Sequence, residues 1–391
     1  MKILLLAPQP FYQERGTPIA IKLLLEVLSQ RGDQVDVITF HEGADIALPG
    51  VTLHRIPALP WLKNIRPGFS PKKLACDVLM LPQALRMAAR GGYDYVHAVE
   101  EAAFIAYAIR RLYRIPYLYD MDSSLSGQLT EKIGVLKPLL PVFRGLEGIM
   151  IRGAEAVVPV CDALRDDAVR WGAKKIAVLY DVPMPAEVCA VPVIDVRAKY
   201  GLTGPIAMYV GNLEGYQGID LLLESFWLAA QDAADLDLVI IGGKPADIER
   251  YTTISRDLGI AERVHFLGPQ PVALLSAYLA QADLLLSPRI KGSNTPMKLY
   301  SYLESGKPIL ATNLWTHTQV LTPQSAVLTD PLPRAYADGL LRLAANVALR
   351  DQIGAAGAQL IATKYNYQTF YQTITDLLAE MEQASGLRGA A

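Results

Sequence analysis

Short apolar runs of strand length alternate with helix-length segments twice along this chain, and that alternation leaves few folds open. "KILLLAP" leads into a helical stretch from about Pro18 to Arg31, and "QVDVITF" follows an "RGD" turn. Next come "YDYVHAV", a helix from about Glu101 to Tyr113, "PYLYDMD", a helical stretch around 135 to 153, "AVVPV", a helix around 162 to 171, and "KIAVLY". Residues 181 to 204, rich in Pro and small residues, break the rhythm as a linker does. It restarts with "PIAMYVG", "LDLVIIGG", "RVHFLG", "DLLLSP", "PILAT" and "SAVLT", with helices at about 218 to 231, 245 to 258, 271 to 281 and 297 to 305. Strands separated by helical crossovers must run parallel, so the pattern predicts an α/β chain of two Rossmann-like domains, 1–182 and 205–364, joined by a linker at 183–204. A final segment, 365–385, carries Phe370, Ile374, Leu377, Leu378 and Met381 at helical spacing and reads as a closing helix that packs back on the first domain.

Length agrees, because 391 residues exceed what one ordinary core serves. A net charge of −2 excludes wholesale nucleic-acid binding. Cys76, Cys161 and Cys189 have neither CxxC nor His spacing, which gives no zinc site and no disulfide framework, and a reducing cytoplasm is the expected compartment. The opening "MKILLLAP" fits a first buried strand better than a secretory signal, and no apolar run is long enough to span a bilayer. Lys63, Arg66, Lys72 and Lys73 lie close to Trp61, Leu62 and Phe69, a mixture that suits the anionic inner face of a membrane; the alternative is a solvated loop over buried aromatics.

Ligands of open parallel sheets bind outside the carboxyl ends of the strands. Four loops there are unusual: "PQPFYQERGTPIA" with Gly16 and Thr17, "GNLEGYQGIDLLLESF" with Gly211, Gly215 and Gly218, "IIGGKPAD" with Gly243, and "SPRIKGSNTPMKLYSYLESGKPILATN". The second is Gly-rich but is neither GxGxxG nor a Walker sequence.

The order "YVGNLEGYQGIDLLLESF", "LVIIGG", "VHFLGPQP", "ADLLLSPR", "PMKLYSYLESGKPILATN" resembles the donor domain of family 4 glycosyltransferases of the GT-B fold. "RGTPIAIKLLLEVLSQRGDQVDVITF", "YDYVHAVEEAAFIA", "IPYLYDMDSS" and "RGAEAVVPVCDAL" extend the likeness through the first, acceptor domain. The resemblance implies a nucleotide-sugar donor cradled by Ser293, Asn294, Thr295, Pro296 and Met297, whose amides would receive the diphosphate at a helix start. Arg289, Lys291 and Lys298 become the candidates for phosphate charge compensation. Gly16, Thr17, Gly211, Asn212, Gln217, Gly218, Gly243 and Ser301 complete the donor set.

This sequence departs from the family where charge matters. The two glutamates eight residues apart fall on Ser293 and Ser301. The Arg and Lys of the Gly-rich loop are replaced by Asn212 and Gln217, and the His after a first-domain strand by Asp122. Each lost charge-assisted bond is worth about 1.5–3 kcal/mol unless another cation replaces it. The expected catalytic set is therefore Asp122, Lys298 and Arg289, with His97, Glu100, Glu101 and Asp120 orienting the acceptor.

What the resemblance implies is retaining hexosyl transfer from a UDP- or GDP-sugar to a saccharide, lipid-linked or sugar-phosphate acceptor, with no cofactor beyond the nucleotide sugar itself. The "DMD" of Asp120 and Asp122 also matches the metal-holding pattern of GT-A enzymes, but the donor signals lie in the other half, and a metal-independent reaction is expected. The serines at the glutamate positions keep a second reading open, a non-catalytic nucleotide-sugar-binding scaffold. An epimerase or a phosphorylase on the same fold ranks below both.

Overall fold

The structure, a computed structural model, describes residues 1–13, 16–65, 70–124, 138, 140–183, 191–233, 235–292 and 294–384. It divides into two compact units, Met1–Tyr180 with Phe370–Ala391, and Asp181–Thr369. The first holds a six-stranded parallel sheet of β1 (Lys2–Ala7), β2 (Gln34–Thr39), β3 (Val51–Arg55), β4 (Tyr95–Val99), β5 (Tyr117–Met121) and β6 (Ala156–Pro159), in the order β3-β2-β1-β4-β5-β6. The second repeats the plan with β7 (Ile206–Val210), β8 (Asp237–Ile241), β9 (Val264–Gly268), β10 (Leu284–Ser287), β11 (Ile309–Thr312) and β12 (Val327–Thr329), in the order β12-β11-β10-β7-β8-β9.

Both sheets read as the sequence requires. β4 and β5 are buried along their whole length, as strands covered by helices on both faces must be. Strand order reverses between β1 and β4 in one unit and between β7 and β10 in the other, and each reversal opens a crevice at the strands' carboxyl ends.

Elements that sequence patterning passes over have identifiable physical reasons. β3 is a half-exposed edge strand with no apolar run to reveal it. The helix Pro71–Gly91 carries Pro82 in its interior, which argues against a helix. Its ends nonetheless carry a cap at Ser70, whose hydroxyl accepts from Lys73 N at 3.1 Å, Pro71 in the first turn and Gly92 in the left-handed region. The helix Val347–Thr363 contains Gly354 and Gly357, which lower helix propensity but let it approach Gly306 and Leu303 closely. "KIAVLY" is a correction: it forms no named strand, only a bridge between Ile176 and Val157, although Ala177 N donates to Val157 O at 3.1 Å and Leu179 N to Pro159 O at 3.0 Å along the edge of the four-residue β6. In the closing helix Tyr367–Ala384 the five apolar residues of the stripe are all buried, and Glu382 accepts from Arg31 Nη2 at 2.9 Å.

Candidate active site

In the second unit the loops after β7 and β10 flank the reversal and are stitched together. Ile290 N donates to Tyr216 O at 3.0 Å, and the Arg289 guanidinium lies 5.2 Å from the centre of the Tyr216 ring. Gly218, at φ +74°, faces the Pro288 carbonyl so closely that a Cβ would overlap its oxygen, so only glycine lets the two loops meet. The β10 loop is also tied from behind. Thr312 Oγ1 donates to Arg289 O at 2.5 Å and Thr316 Oγ1 to Asn294 O at 2.6 Å. Between them sits His317, fully buried. Its Nδ1 is 2.8 Å from the Thr312 carbonyl, which can only accept, so the proton is on Nδ1 and Nε2 accepts from Ser287 Oγ at 2.8 Å. Burial pushes this imidazole down to about 3, and it stays neutral.

Arg289 is 8% exposed and turns inward on its own loop: Nε donates to Lys291 O at 2.6 Å, Nη1 to Asn294 O at 3.3 Å and Nη2 to Asn294 Oδ1 at 3.1 Å. Three of its five N–H donors thus shape the loop. Lys291 is exposed at the rim. The helix that follows, Lys298–Glu304, has only seven residues, and the N–H groups of Leu299 and Tyr300 already donate to Pro296 O at 3.0 Å and Met297 O at 3.2 Å. Those two amides are thereby taken within the helix start itself.

Lys298 places its amine at the centre. Its stem is partly exposed, but Nζ is buried, lacks a hydrogen-bond partner and rests 3.8 Å from the centre of the Tyr209 ring. A Cβ placed on Gly211 would lie 3.5 Å from that nitrogen, which puts the amine at the first residue of the Gly-rich loop. Burial, reinforced by the Arg289 cation, drives the Lys298 pKa well below the ordinary lysine value. Gln217 Oε1 and Thr295 Oγ1, on the two loops, are likewise buried without partners. Buried polar groups are nearly always bonded, and three that are not fall together on these two loops and the first residue of the helix that follows. Asn212 is exposed and accepts from Glu214 N at 3.2 Å, Gly243 lies just beyond β8, and Ser301 is buried in the helix. Ser293 lies outside the described residues.

In the first unit the carboxyl end of β4 carries a second polar centre. Glu100 adopts φ +48°, unusual for a side chain with a Cβ, and its N donates to Asp120 O at 2.9 Å. Its Oε1 accepts from Ser123 Oγ at 2.9 Å, and Oε2 lies 3.6 Å from Lys73 Nζ, which sits 2.5 Å from Glu101 Oε1. Asp77, one turn along the same helix as Lys73, has a buried Oδ1 without a hydrogen-bond partner. Burial, with Glu101 adding to it, pushes its carboxyl up to about 8. Asp120 Oδ2 meets His97 Nε2 at 3.0 Å. Asp122 lies one residue past β5, and Gly16 and Thr17 open the helix Gly16–Gln30 after β1. Thus His97 and Asp120 form one pair, Glu100 and Glu101 another, and the second is clamped by Lys73. Lys73 and Asp77 were invisible as site residues because Pro82 hides their helix; the Ser-Pro start was the available signal. For the same reason the basic cluster changes character: Lys73 is buried in ion pairs and Leu62 is fully buried, while Trp61 is 61% exposed and Arg66 and Phe69 lie outside the described residues.

Family models match both units. The model described as "Glycosyl transferases group 1" covers residues 195–360, and that described as "Glycosyl transferase 4-like domain" covers residues 15–181. The chain belongs to the family 4 glycosyltransferases. This glycosyltransferase is 24% identical to a phosphatidyl-myo-inositol mannosyltransferase of Mycobacterium leprae (strain TN), over 98% of this chain and 100% of that protein. It is 23% identical to an alpha-D-kanosaminyltransferase of Streptomyces kanamyceticus, over 68% of this chain and 70% of that protein. Among solved structures its fold is that of a sucrose-phosphate synthase from Thermosynechococcus elongatus, with TM-score 0.78 at 18% identity over 98% and 99% of the two chains. It is also that of Anabaena Alr3699/HepE, solved with UDP, with TM-score 0.74 at 16% identity over 97% and 100%. The GT-B architecture is thereby shown.

Among the described residues no helix is long and apolar enough to cross a membrane, and no group of three or more His, Cys, Asp or Glu could hold a metal ion.

Proposed function

We propose that this glycosyltransferase moves a hexosyl unit, with retention and without a metal, from a UDP- or GDP-sugar to a saccharide, lipid-linked or sugar-phosphate acceptor. The observation that carries the donor half is the set of orphaned groups Lys298 Nζ, Gln217 Oε1 and Thr295 Oγ1 on the loops at the β7/β10 reversal. A diphosphate would satisfy the amine and the hydroxyl, and a hydroxyl of the donor would satisfy the amide oxygen. Lys298 then replaces the cations that Asn212 and Gln217 do not supply, while Arg289 holds the loop that presents it. Glu100 and Glu101, with Asp122 and the His97–Asp120 pair, orient the acceptor. The leaving diphosphate itself takes the acceptor proton, so no protein nucleophile is needed.

A thermal-shift panel of UDP, GDP, ADP and their common sugars tests this reading. A cognate nucleotide at a hundred times its Kd should stabilise by about 2.7 kcal/mol, raising the Tm of a unit this size by roughly 5–10 °C. Transfer to a sugar acceptor should then persist in EDTA and give a product with the donor's anomeric configuration. Loss of transfer in EDTA, restored by Mn²⁺, overturns the metal-free reaction. The scaffold reading draws on Ser301, where the family has glutamate: binding with neither transfer nor hydrolysis of any donor would establish it.

We also propose peripheral attachment to anionic membrane through the first unit. Leu74, Val78 and Leu81 form an exposed apolar line at helical spacing, with Trp61 and the exposed Lys63 and Lys72 also in this unit. Co-sedimentation with phosphatidylserine vesicles should fall with rising salt and with Leu74→Glu/Val78→Glu, and binding insensitive to both would sink the idea.

A further inference from the structure

Lys298 Nζ has a ring beneath it, a backbone turn beside it and no carboxylate acting on it among the described residues; the charged group that does act on it is Arg289, of like sign. A buried ammonium with neither a hydrogen-bond partner nor a counter-charge is disfavoured against the free amine and sheds its proton instead. The neighbours cannot take that proton. His317 Nδ1–H is committed to Thr312 O and Nε2 accepts from Ser287, and burial holds its pKa at about 3. Arg289 is permanently charged, and burial raises the Tyr209 and Tyr302 hydroxyls well above their ordinary values.

We infer that the Lys298 amine is a proton-linked anion receptor: uncharged in the empty protein, it takes a proton from solvent as the donor's diphosphate arrives, so that each nucleotide bound brings one proton with it. The inference rests on the donor-site reading above and adds to it a direction for pH. Donor affinity falls as pH rises through the range in which the empty site is neutral and the filled site charged. One proton taken up makes Kd rise about tenfold per pH unit.

The test is calorimetric titration of the full chain with UDP at about pH 7.5, where its terminal phosphate is already ionised, in buffers of different ionisation enthalpy. The expected result is uptake of about one proton per UDP bound, absent in both Lys298→Met and Lys298→Arg, with the arginine variant still binding because a guanidinium never loses its charge. UDP binding without proton uptake in the wild-type protein, or uptake that survives in Lys298→Met, would overturn the inference and leave the donor site standing. If UDP, GDP and ADP all fail to bind, the donor-site reading falls and this inference with it.

Discussion

Lys298→Met is expected to make the empty protein more stable and its nucleotide complex much weaker. Methionine fills the lysine stem's volume and leaves no polar atom against the Tyr209 ring, so removal of the unpartnered amine should raise stability by about 1–2 kcal/mol, or roughly 2–8 °C in Tm. Loss of one charge-assisted bond to diphosphate should cost about 1.5–3 kcal/mol, a 10- to 150-fold rise in Kd. The opposite signs are the diagnostic, since a merely structural lysine would lose stability when truncated and leave Kd alone. The pH dependence follows from linkage. The folded pKa of Lys298 is depressed and the unfolded one ordinary, so between the two the unfolded chain binds more protons. The empty protein therefore gains stability as pH rises toward the ordinary lysine value, and Lys298→Met flattens that slope. Calorimetric scans of both proteins between about pH 6 and pH 9 measure it; a variant that melts earlier at every pH would assign Lys298 to packing.

Much of this was legible beforehand because parallel sheets write their strands as continuous apolar runs and their sites into the loops that follow. The Gly-rich loop after β7 and the "SPRIKGSNTPMK" loop after β10 stand out in the sequence by their glycines, hydroxyls and cations, and both border the strand reversal. What spacing could not convey was the direction in which each cation points. Arg289, Lys291 and Lys298 look equivalent in sequence, yet one braces its own loop, one stands in solvent and one is sealed against an aromatic ring. His317 is illegible for a related reason: Thr312 stands just before it, but Ser287, which fixes its other nitrogen, is brought to it by β10 from 30 residues away. In the first unit Glu100 and Glu101 were legible at the end of β4, but their counter-ion was not, because Lys73 reads locally as one more surface cation beside Lys72.

Lys73→Met should consequently be among the most damaging single substitutions in the first unit. Lys73 is 8% exposed, and its ammonium stands between Glu101 at 2.5 Å and Glu100 at 3.6 Å. Burial by itself would lower its pKa, but Glu100, Glu101 and Asp77 outweigh that and raise it, so at neutral pH its contribution is fully present. Removing one partner of a buried charge cluster costs about 3–5 kcal/mol, or roughly 6–20 °C in the Tm of this unit. The deficit should also depend on pH. Burial already raises the Glu101 and Asp77 carboxyls, and without Lys73 they shift further up. Carboxyls with raised folded pKa values add stability at low pH and lose it as pH rises through those values, so the variant should recover toward the wild type near pH 5 and fall furthest behind above pH 8. Glu101→Gln placed in the Lys73→Met background removes one of the stranded charges and should restore part of the loss at pH 8 while changing little at pH 5. Melting curves of the single and double variants at the two pH values decide the matter. A loss that is the same at both, or that Glu101→Gln deepens, would mean that Lys73 supports the helix by packing its stem and that Glu100 and Glu101 are held in place by the backbone alone.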